Sequence, residues 1–323
     1  MNSKYYKREN VLEKNLVIIG NGFDLAHNLK TKWSDFKDYL CQFNIELLDI
    51  LEGCITTEIK NDLWSDFEKN LGKINRKEIY AEELFGFDMI KNDEDERRNH
   101  QMADRIRYIE DLIIDGTKRT LNNWILSIDV NVHPFKNIQR ILKNAQVISF
   151  NYTSTLETSY DISPNNIVYL HGKAVELSYD TSHDYFESKP VPKIVVGHGE
   201  KIEPIDIGTF ADDMSDEIVL DEVQSEGHRD VLLELKKDTV KYISRLNHIL
   251  SSMDDYDNIY IIGHSLSDID APYFHNIASR IAAHTKIFVT YFKDGETKSE
   301  KKDRVKHFFP QNEVLFEEIE NLL

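Results

Sequence analysis

The sequence has few cysteines, with only Cys41 and Cys54 among its 323 residues. Two thiols cannot build the disulfide framework of a small secreted domain, and their spacing matches no metal-binding pattern. We therefore expect a protein of the reducing cytoplasm with no bound metal. The chain is long enough for one large α/β domain that carries a substantial insertion.

Long apolar runs are also missing. No stretch approaches the roughly 20 consecutive apolar residues of a membrane-spanning helix. The first residues, MNSKYYKREN, contain no apolar segment of a secretory signal. Both observations favour a cytoplasmic protein without membrane association. Hydrophobic residues still make up 41% of the chain, so a packed core is feasible.

Positive charge is in deficit, since 39 Lys and Arg residues oppose 57 Asp and Glu residues to give a formal net charge of −18. A chain this acidic repels nucleic acid, whose binding requires a basic patch that releases counterions. Backbone N–H groups at the start of a helix can nevertheless hold a phosphate group. Composition therefore favours a small-molecule enzyme or a protein-binding module over a nucleic-acid binder.

Short apolar runs that end in Gly, Asn or His predict the strands. They are apolar throughout rather than alternating, which is typical of a parallel sheet covered on both faces. The predicted strands are Leu16–Ile19, Gln146–Phe150, Ile167–Leu170, Lys193–Val196, Asn258–Ile262 and Lys286–Phe292, with a weak last strand at Glu313–Phe316. We predict a Rossmann-like α/β fold: a mostly parallel sheet of about six strands, with helices on both faces and a helical insertion after the first strand.

The predicted insertion sets the domain boundaries. Between the first two strands, apolar residues recur at helical spacing and no convincing strand is found. We assign residues 1–29 and 140–323 to a Rossmann-like nucleotide-binding core and residues 30–139 to a helical subdomain. The acidic segment Ala211–Glu222 predicts a loop or lid beside a site.

The first strand runs into a glycine turn and then a predicted helix, the layout of dinucleotide-binding folds. The first glycine permits a tight turn, and the second lets the backbone approach a pyrophosphate. The third glycine of G-x-G-x-x-G is missing, because Leu25 occupies its position. An ordinary tight turn remains the alternative. The predicted cofactor contacts in this turn are Gly20, Asn21, Gly22, Phe23 and Asp24.

Polar side chains follow three later predicted strands. Asn151 follows Ser149-Phe150, His171 precedes Gly172, and His198 lies between two glycines. The carboxyl ends of parallel strands meet at one edge of a sheet, where open α/β folds bind ligands. We therefore expect Asn151 and His171 to lie at the same edge. The alternatives are a helix cap for Asn151, a structural role for His171 and an exposed loop position for His198.

A polar turn, Gly263-His264-Ser265-Leu266-Ser267-Asp268, follows the strand at 258–262. One interpretation is the G-x-S-x-G nucleophile elbow of α/β-hydrolases, with Ser265 as the nucleophile. Ser267 replaces the second glycine of that motif, and little chain remains for the acid and histidine that must follow. The other interpretation is a ligand-binding loop in which Ser265 and Asp268 hydrogen-bond a sugar or phosphate.

Taken in order, these segments resemble the AbiH family of bacterial abortive-infection proteins. The resemblance is carried by VIIGNGFDLAHNLKTKWSDF, LWSDFEKNL, SFNYTSTLE, YLHGK, IVVGHGE and IIGHSLSDIDAPYF. It extends from near residue 15 to about residue 292. Within LWSDFEKNL, a ligand role for Trp64, Asp66 and Glu68 competes with a buried Trp beside a solvated acidic face.

A more distant resemblance, to sirtuin-like defence NADases, bears on chemistry. Those proteins carry Asn-Tyr-Asp, His-Gly and a late Gly-x-Ser-Leu-x-Asp after successive strands, and their Asn and His form the pair that cleaves NAD. The resemblance implies Asn151 and His171 as catalytic residues. The predicted cofactor contacts also include Gly263, Ser265 and Asp268 in the late motif, and His198 after its own predicted strand. This chain departs from the pattern at Thr153, which replaces the Asp, and at its GNGFD start; it also has no sirtuin zinc module.

The expected function is therefore cytoplasmic phage defence by a nucleotide-binding hydrolase that cleaves NAD, its substrate, when triggered. The alternative is a non-catalytic module that senses a nucleotide or binds a protein, and a serine hydrolase acting through Ser265 is less favoured. A phage or host protein trigger and a homo-oligomer are left open as partners.

Overall fold

The computed structural model describes residues 13–55, 63–75, 79, 94–177, 190–202, 229–293 and 298–322, with the backbone alone at 94–100, 102 and 103. The described residues form two units. The sheet unit lies within Met1–Leu29, Asp129–His171 and Thr239–Leu323, and the helical unit within Lys30–Ile128 and Gly172–Asp238. The sequence assigned 172–238 to the core, whereas in the structure the described part of this segment belongs to the helical unit. The predicted lid at Ala211–Glu222 lies outside the described residues.

The sheet unit is built on six parallel strands in the order β3-β2-β1-β4-β5-β6, which is the strand order of the Rossmann fold. The strands are β1 (Asn15–Ile19), β2 (Gln146–Ser149), β3 (Ile167–Tyr169), β4 (Asn258–Ile262), β5 (Lys286–Tyr291) and β6 (Val314–Glu318). The strand order reverses between β1 and β4, so the point where such folds bind ligands lies at the carboxyl ends of these two strands. The α/β prediction is confirmed, including the weak last strand.

The described residues of the two units form the following helices. In chain order they are α1 (Asn21–Ala26), α2 (Trp33–Phe43), α3 (Ile45–Cys54), α4 (Phe67–Leu71), α5 (Glu94–Asp111), α6 (Thr117–Ser127), α7 (Lys136–Leu142), α8 (Thr155–Thr158), α9 (Val231–Glu234), α10 (Thr239–Ile243), α11 (Asn247–Leu250), α12 (Ala271–Ala278) and α13 (Lys298–Phe308). A π-helical turn, Leu112–Gly116, joins α5 to α6, and short 3-10 turns include Asp268–Asp270. Across the described residues, no helix is both long enough and apolar enough for a membrane span.

Strand β1 shows why the predicted strands are apolar at every position. Leu16 and Ile18 pack into one apolar cluster, whereas Val17 and Ile19 pack into another. Successive side chains of a strand point to opposite faces of the sheet, so both faces are covered. The continuous apolar pattern of β1 therefore indicates that both faces of the sheet are buried, as predicted from the sequence.

The predicted strand at Lys193–Val196 is wrong. These residues form no strand and belong to the helical unit. Ile194, Val195 and Val196 are buried there. An apolar run reports burial, and burial alone does not distinguish a strand from an irregular segment packed inside a unit.

Candidate functional site

The glycine turn after β1 packs directly against the turn after β4. The Gly20 N–H donates to the Ile262 carbonyl at 3.0 Å, and the Gly22 N–H donates to the Gly263 carbonyl at 2.7 Å. A Cβ atom on Gly20 would lie 2.5 Å from His264 Cα, and one on Gly22 would lie 2.7 Å from Gly263 Cα. Close backbone packing thus accounts for both glycines. The contact with a diphosphate stays a prediction, and Asn21 between them is exposed.

Phe23 and Gly263 take part in the same packing. Phe23 is fully buried in one of the apolar clusters of the sheet unit, where its ring contacts His27 and Tyr160. Gly263 has φ of +66°, and a Cβ there would lie 2.2 Å from Phe23 N. The Phe23 side chain is buried, and the backbone of Gly263 is crowded. Packing therefore accounts for both residues without a ligand.

Asp24 is a buried carboxylate that ties α1 to the loop after β2. Thr153 donates its hydroxyl to Asp24 Oδ2 at 2.7 Å, and Thr155 donates to Asp24 Oδ1 at 3.0 Å. Burial raises the pKa of Asp24 to about 6, and the hydrogen bonds from the two threonines oppose that rise. These contacts give the Asp24 carboxylate two hydroxyl donors from the segment that follows β2.

The Asp24→Asn variant is expected to gain stability relative to the wild-type protein as pH rises. The folded pKa of Asp24 lies above the ordinary value of 3.8, so the wild-type protein loses stability as pH rises from about 4 to above 6. Asparagine has no proton to lose. The difference in the free energy of unfolding should therefore shift by about 2 kcal/mol in favour of the variant between about pH 4 and pH 7.5.

Urea unfolding of both proteins across this pH range measures that difference. Burial also lowers the pKa values of His27 and His198, whose contributions to stability decline as pH falls. Both histidines are present in the wild-type protein and in the variant. Their contributions therefore cancel when the free energies of unfolding of the two proteins are subtracted. An exposed Asp303→Asn variant controls for the loss of one carboxylate. A difference that stays flat with pH would show that Asp24 is not desolvated.

Asn151 lies at the carboxyl end of β2 with only 7% of its surface exposed. Its side-chain nitrogen and oxygen lie within hydrogen-bonding geometry of no described protein atom. The amide lies close enough to Asp24 to lower the pKa of that carboxyl group, although the two side chains do not meet hydrogen-bonding geometry. Since burying an amide without a partner is costly, this side chain is poised to accept one.

His171, at the carboxyl end of β3, lies beside Asp270 in the 3-10 turn before α12. The His171 Nε2 atom is 3.5 Å from Asp270 Oδ1, and the His264 Nε2 atom is 3.7 Å from Asp270 Oδ2. Ser267 donates its hydroxyl to Asp270 Oδ2 at 3.1 Å. A buried carboxylate therefore lies between two buried imidazoles. The described residues contain no group of three or more ligands arranged to hold a metal ion.

Aromatic rings enclose this His–Asp–His cluster. The ring of Phe150 lies 5.1 Å from that of His171 and 4.2 Å from that of His264, measured between centroids. The Tyr273 and Tyr152 rings lie 5.9 Å and 6.5 Å from His171. Such apolar walls limit water and strengthen the electrostatic interaction between Asp270 and the imidazoles.

Ser265 and Asp268 are both exposed on the loop after β4. Arg304 donates to the Ser265 carbonyl at 2.9 Å, and the Lys301 ammonium contacts the His264 carbonyl. No hydrogen bond joins the Ser265 hydroxyl to a histidine within the described part of the chain, so a serine hydrolase lacks its base there. Nucleotide contacts by Ser265 and Asp268 remain predictions.

His198 belongs to the helical unit, and protein atoms engage both of its ring nitrogens. Nδ1 accepts from the Glu200 N–H at 3.2 Å, which leaves Nε2 to donate to the Leu232 carbonyl at 2.9 Å. The residue is fully buried, and that burial lowers the pKa of the imidazole. These contacts give His198 a structural role in its unit, and its contact with a cofactor stays a prediction.

The residues of the LWSDFEKNL segment also have contacts inside the helical unit. The Trp64 indole donates to Glu52 at 2.9 Å, and Glu68 forms an ion pair at 3.1 Å with the fully buried ammonium of Lys237. Asp66 is exposed. These contacts favour the structural alternative for Trp64 and Glu68.

Sequence reasoning missed Asp270 and His264 as members of the cluster, and Thr153 and Thr155 as partners of Asp24. His264 follows β4 as His171 follows β3, and this position at the end of a strand could have identified it as a site residue. Asp270 directly precedes α12, and an acidic residue at that position is usually interpreted as a helix N-cap. No local signal distinguishes it.

A family comparison covers all of these positions. The model of the family described as bacteriophage abortive infection AbiH matches residues 16–291, from β1 to the end of β5. A search of curated proteins finds no match. The matched span contains the glycine turn, Asp24, Asn151 and the His171–Asp270–His264 cluster. The chain therefore belongs to the AbiH family and is a bacteriophage abortive infection protein.

Proposed function

We propose that this protein acts in phage defence by binding NAD at the carboxyl edge of its sheet and hydrolysing it to nicotinamide and ADP-ribose. One observation carries the proposal, and it concerns three buried groups at the ends of strands in a sheet with Rossmann strand order. An amide that no described protein atom hydrogen-bonds follows β2, a histidine follows β3, and a carboxylate follows β4. This is the edge at which folds of this order bind nucleotides. The similarity to sirtuin-like NADases stays a prediction from the sequence.

The reaction suits these residues. Breaking the bond between nicotinamide and ribose C1′ sends the electron pair to the pyridine nitrogen, so nicotinamide leaves as a neutral molecule and needs no acid. The oxygen of a water molecule bonds to C1′, and His171 accepts the proton that this water loses. That proton then passes to solvent, so the products are nicotinamide, ADP-ribose and one H⁺.

Asn151 supplies the second part of the proposed chemistry. Its amide can donate to and accept from a ribose hydroxyl or the attacking water without adding charge. Binding such a group would satisfy the amide atoms that no described protein atom satisfies. Fixing the ribose and water in this way lowers the entropic part of the barrier.

The direct test is to incubate purified protein with NAD and follow nicotinamide and ADP-ribose by chromatography. We expect the two products in equal amounts. Because a toxic NADase must be restrained, the assay is repeated with extract from phage-infected cells and across protein concentrations, which tests a protein trigger and assembly. Absence of both products under every condition would reject the reaction.

A non-catalytic nucleotide sensor is the second candidate, because the buried Asn151 amide can bind a ribose hydroxyl without any proton transfer. The Gly22 N–H donates to Gly263, so either candidate would have to hold the diphosphate through other groups. If the protein is such a sensor, a nucleotide should be recovered intact from purified protein after denaturation. Recovery of ADP-ribose alone would instead support hydrolysis.

A further inference from the structure

The proposed reaction uses His171 but leaves Asp270 without a role. Asp270 is buried at the start of α12, and its two oxygens face two different imidazoles, at 3.5 Å and 3.7 Å. An ionised carboxylate is expensive to bury unless charged or donating groups surround it. The His–Asp–His arrangement therefore calls for a reason beyond packing.

The tautomer of His264 is fixed by the backbone. Its Nδ1 atom accepts from the Leu266 N–H at 2.9 Å, so the proton of the neutral ring resides on Nε2. That Nε2–H faces Asp270 Oδ2, which also accepts from Ser267. One oxygen of Asp270 is thus held by donors on the β4 side, and the other, Oδ1, faces His171.

We propose that Asp270 is a positioning residue that holds the proton of His171 on Nε2 and thereby makes Nδ1 the basic nitrogen. Nε2 is the ring nitrogen of His171 that faces Oδ1, and a carboxylate at that distance favours N–H over a lone pair. The same charge stabilises the imidazolium that forms when Nδ1 takes a proton. The role in catalysis rests on the proposed NAD hydrolysis, whereas the tautomer does not.

The other groups around His171 fit this assignment. The elements packed against it contribute the rings of Phe150, Tyr152 and Tyr273, which carry no charge near neutral pH. His264 lies against the other oxygen of Asp270, with Nε2 3.7 Å from Oδ2. Arg245 donates to the carbonyl of Leu170, the residue before His171, at 2.8 Å. Asp270 places a negative group beside the ring, with Oδ1 3.5 Å from Nε2.

The tautomer can be measured without substrate. Full-length protein labelled with ¹⁵N-histidine gives long-range ¹H–¹⁵N correlations that distinguish the two tautomers, and a His171→Gln variant identifies the ring. We expect the neutral ring of His171 as the Nε2–H tautomer in wild-type protein. A ring protonated on Nδ1 would overturn the proposal, and this outcome requires no variant of Asp270.

Variants of Asp270 add a second readout. Asp270→Asn is expected to lower the pKa of His171 by about one unit or more, because the neighbouring negative charge is removed. Asp270→Glu keeps the charge and should restore the pKa to within about half a unit of wild type. Asp303→Asn, the same change at an exposed position on α13, is the matched control. An unchanged pKa in Asp270→Asn would contradict the assignment, since a merely structural role does not predict the expected shift.

Kinetics separate this inference from the proposed reaction. If the wild-type protein hydrolyses NAD, Asp270→Asn should lower kcat by about 10²- to 10⁴-fold with little change in KM, as expected when a catalytic histidine loses its carboxylate partner. Equal kcat values would remove Asp270 from the mechanism. If the wild-type protein releases no nicotinamide, the proposed reaction fails, while the tautomer and the pKa shift still decide whether Asp270 positions His171.

Discussion

Replacing His171 by Gln is expected to lower kcat for NAD hydrolysis by about 10²- to 10⁴-fold, the usual contribution of a general base. Glutamine keeps a polar side chain of similar length but cannot accept the proton of the attacking water near neutral pH. His171 sits among aromatic rings beside Asp270, so little water can substitute for the lost base. Nicotinamide release under saturating NAD measures the effect.

Two matched variants make this result specific. His284→Gln repeats the substitution at an exposed position of the sheet unit and should retain wild-type turnover. Asn151→Ala removes the amide that fixes water or ribose and should also lower kcat. Full turnover in both His171→Gln and Asn151→Ala would reject the mechanism, even if the wild-type protein cleaves NAD.

Gly263→Ala is expected to reduce the free energy of unfolding by about 4 kcal/mol or more, a large part of the roughly 5–15 kcal/mol of an ordinary domain. The residue has φ of +66°, where an alanine costs about 1–2 kcal/mol. Its Cβ would also lie 2.2 Å from the backbone nitrogen of Phe23. Because the obstacle is backbone, the turns after β1 and β4 would have to separate.

The midpoint of urea unfolding tests this effect, with Gly53→Ala as the control. Gly53 lies near the end of α3, where a Cβ would meet no described atom within 4 Å. An alanine there should raise stability by up to about 1 kcal/mol through helix propensity. Equal stability of Gly263→Ala and wild-type protein would mean that the two turns are not packed as the structure has them.

Most of the sheet could be predicted from the sequence because a strand buried on both faces appears as a short continuous apolar run. Strand β1, buried on both faces, has no polar position between Leu16 and Ile19, and the middle of β2 is likewise apolar at Val147 and Ile148. The same apolar pattern led to the wrong prediction of a strand at Lys193–Val196. Ile194, Val195 and Val196 in this segment are apolar because they are buried in the helical unit. Residues 172–238 lie between two predicted core strands, and nothing local shows that their described part packs elsewhere.

The candidate site was predictable only where its residues follow a strand. Asn151 and His171 stand at the carboxyl ends of β2 and β3, and parallel pairing places these ends at one edge. The pairing of His171 with Asp270 joins residues far apart in the chain, so spacing could not reveal it. The carboxylate of Asp24 likewise reaches Thr153 and Thr155 only after β1 and β2 have paired.

The sequence by itself determined the parallel α/β class, the edge at which polar side chains gather and, through six ordered motifs, the family. These are properties of local patterns: apolar periodicity, strand-ending residues and short motifs. The tertiary structure alone decided which groups meet there. Gly20 and Gly22 have no side chain because the backbone after β4 occupies the space that a Cβ would need. Asp270 faces His171 because the strand order brings the start of α12 to that edge. Packing in three dimensions fixes such contacts, and no local spacing encodes them.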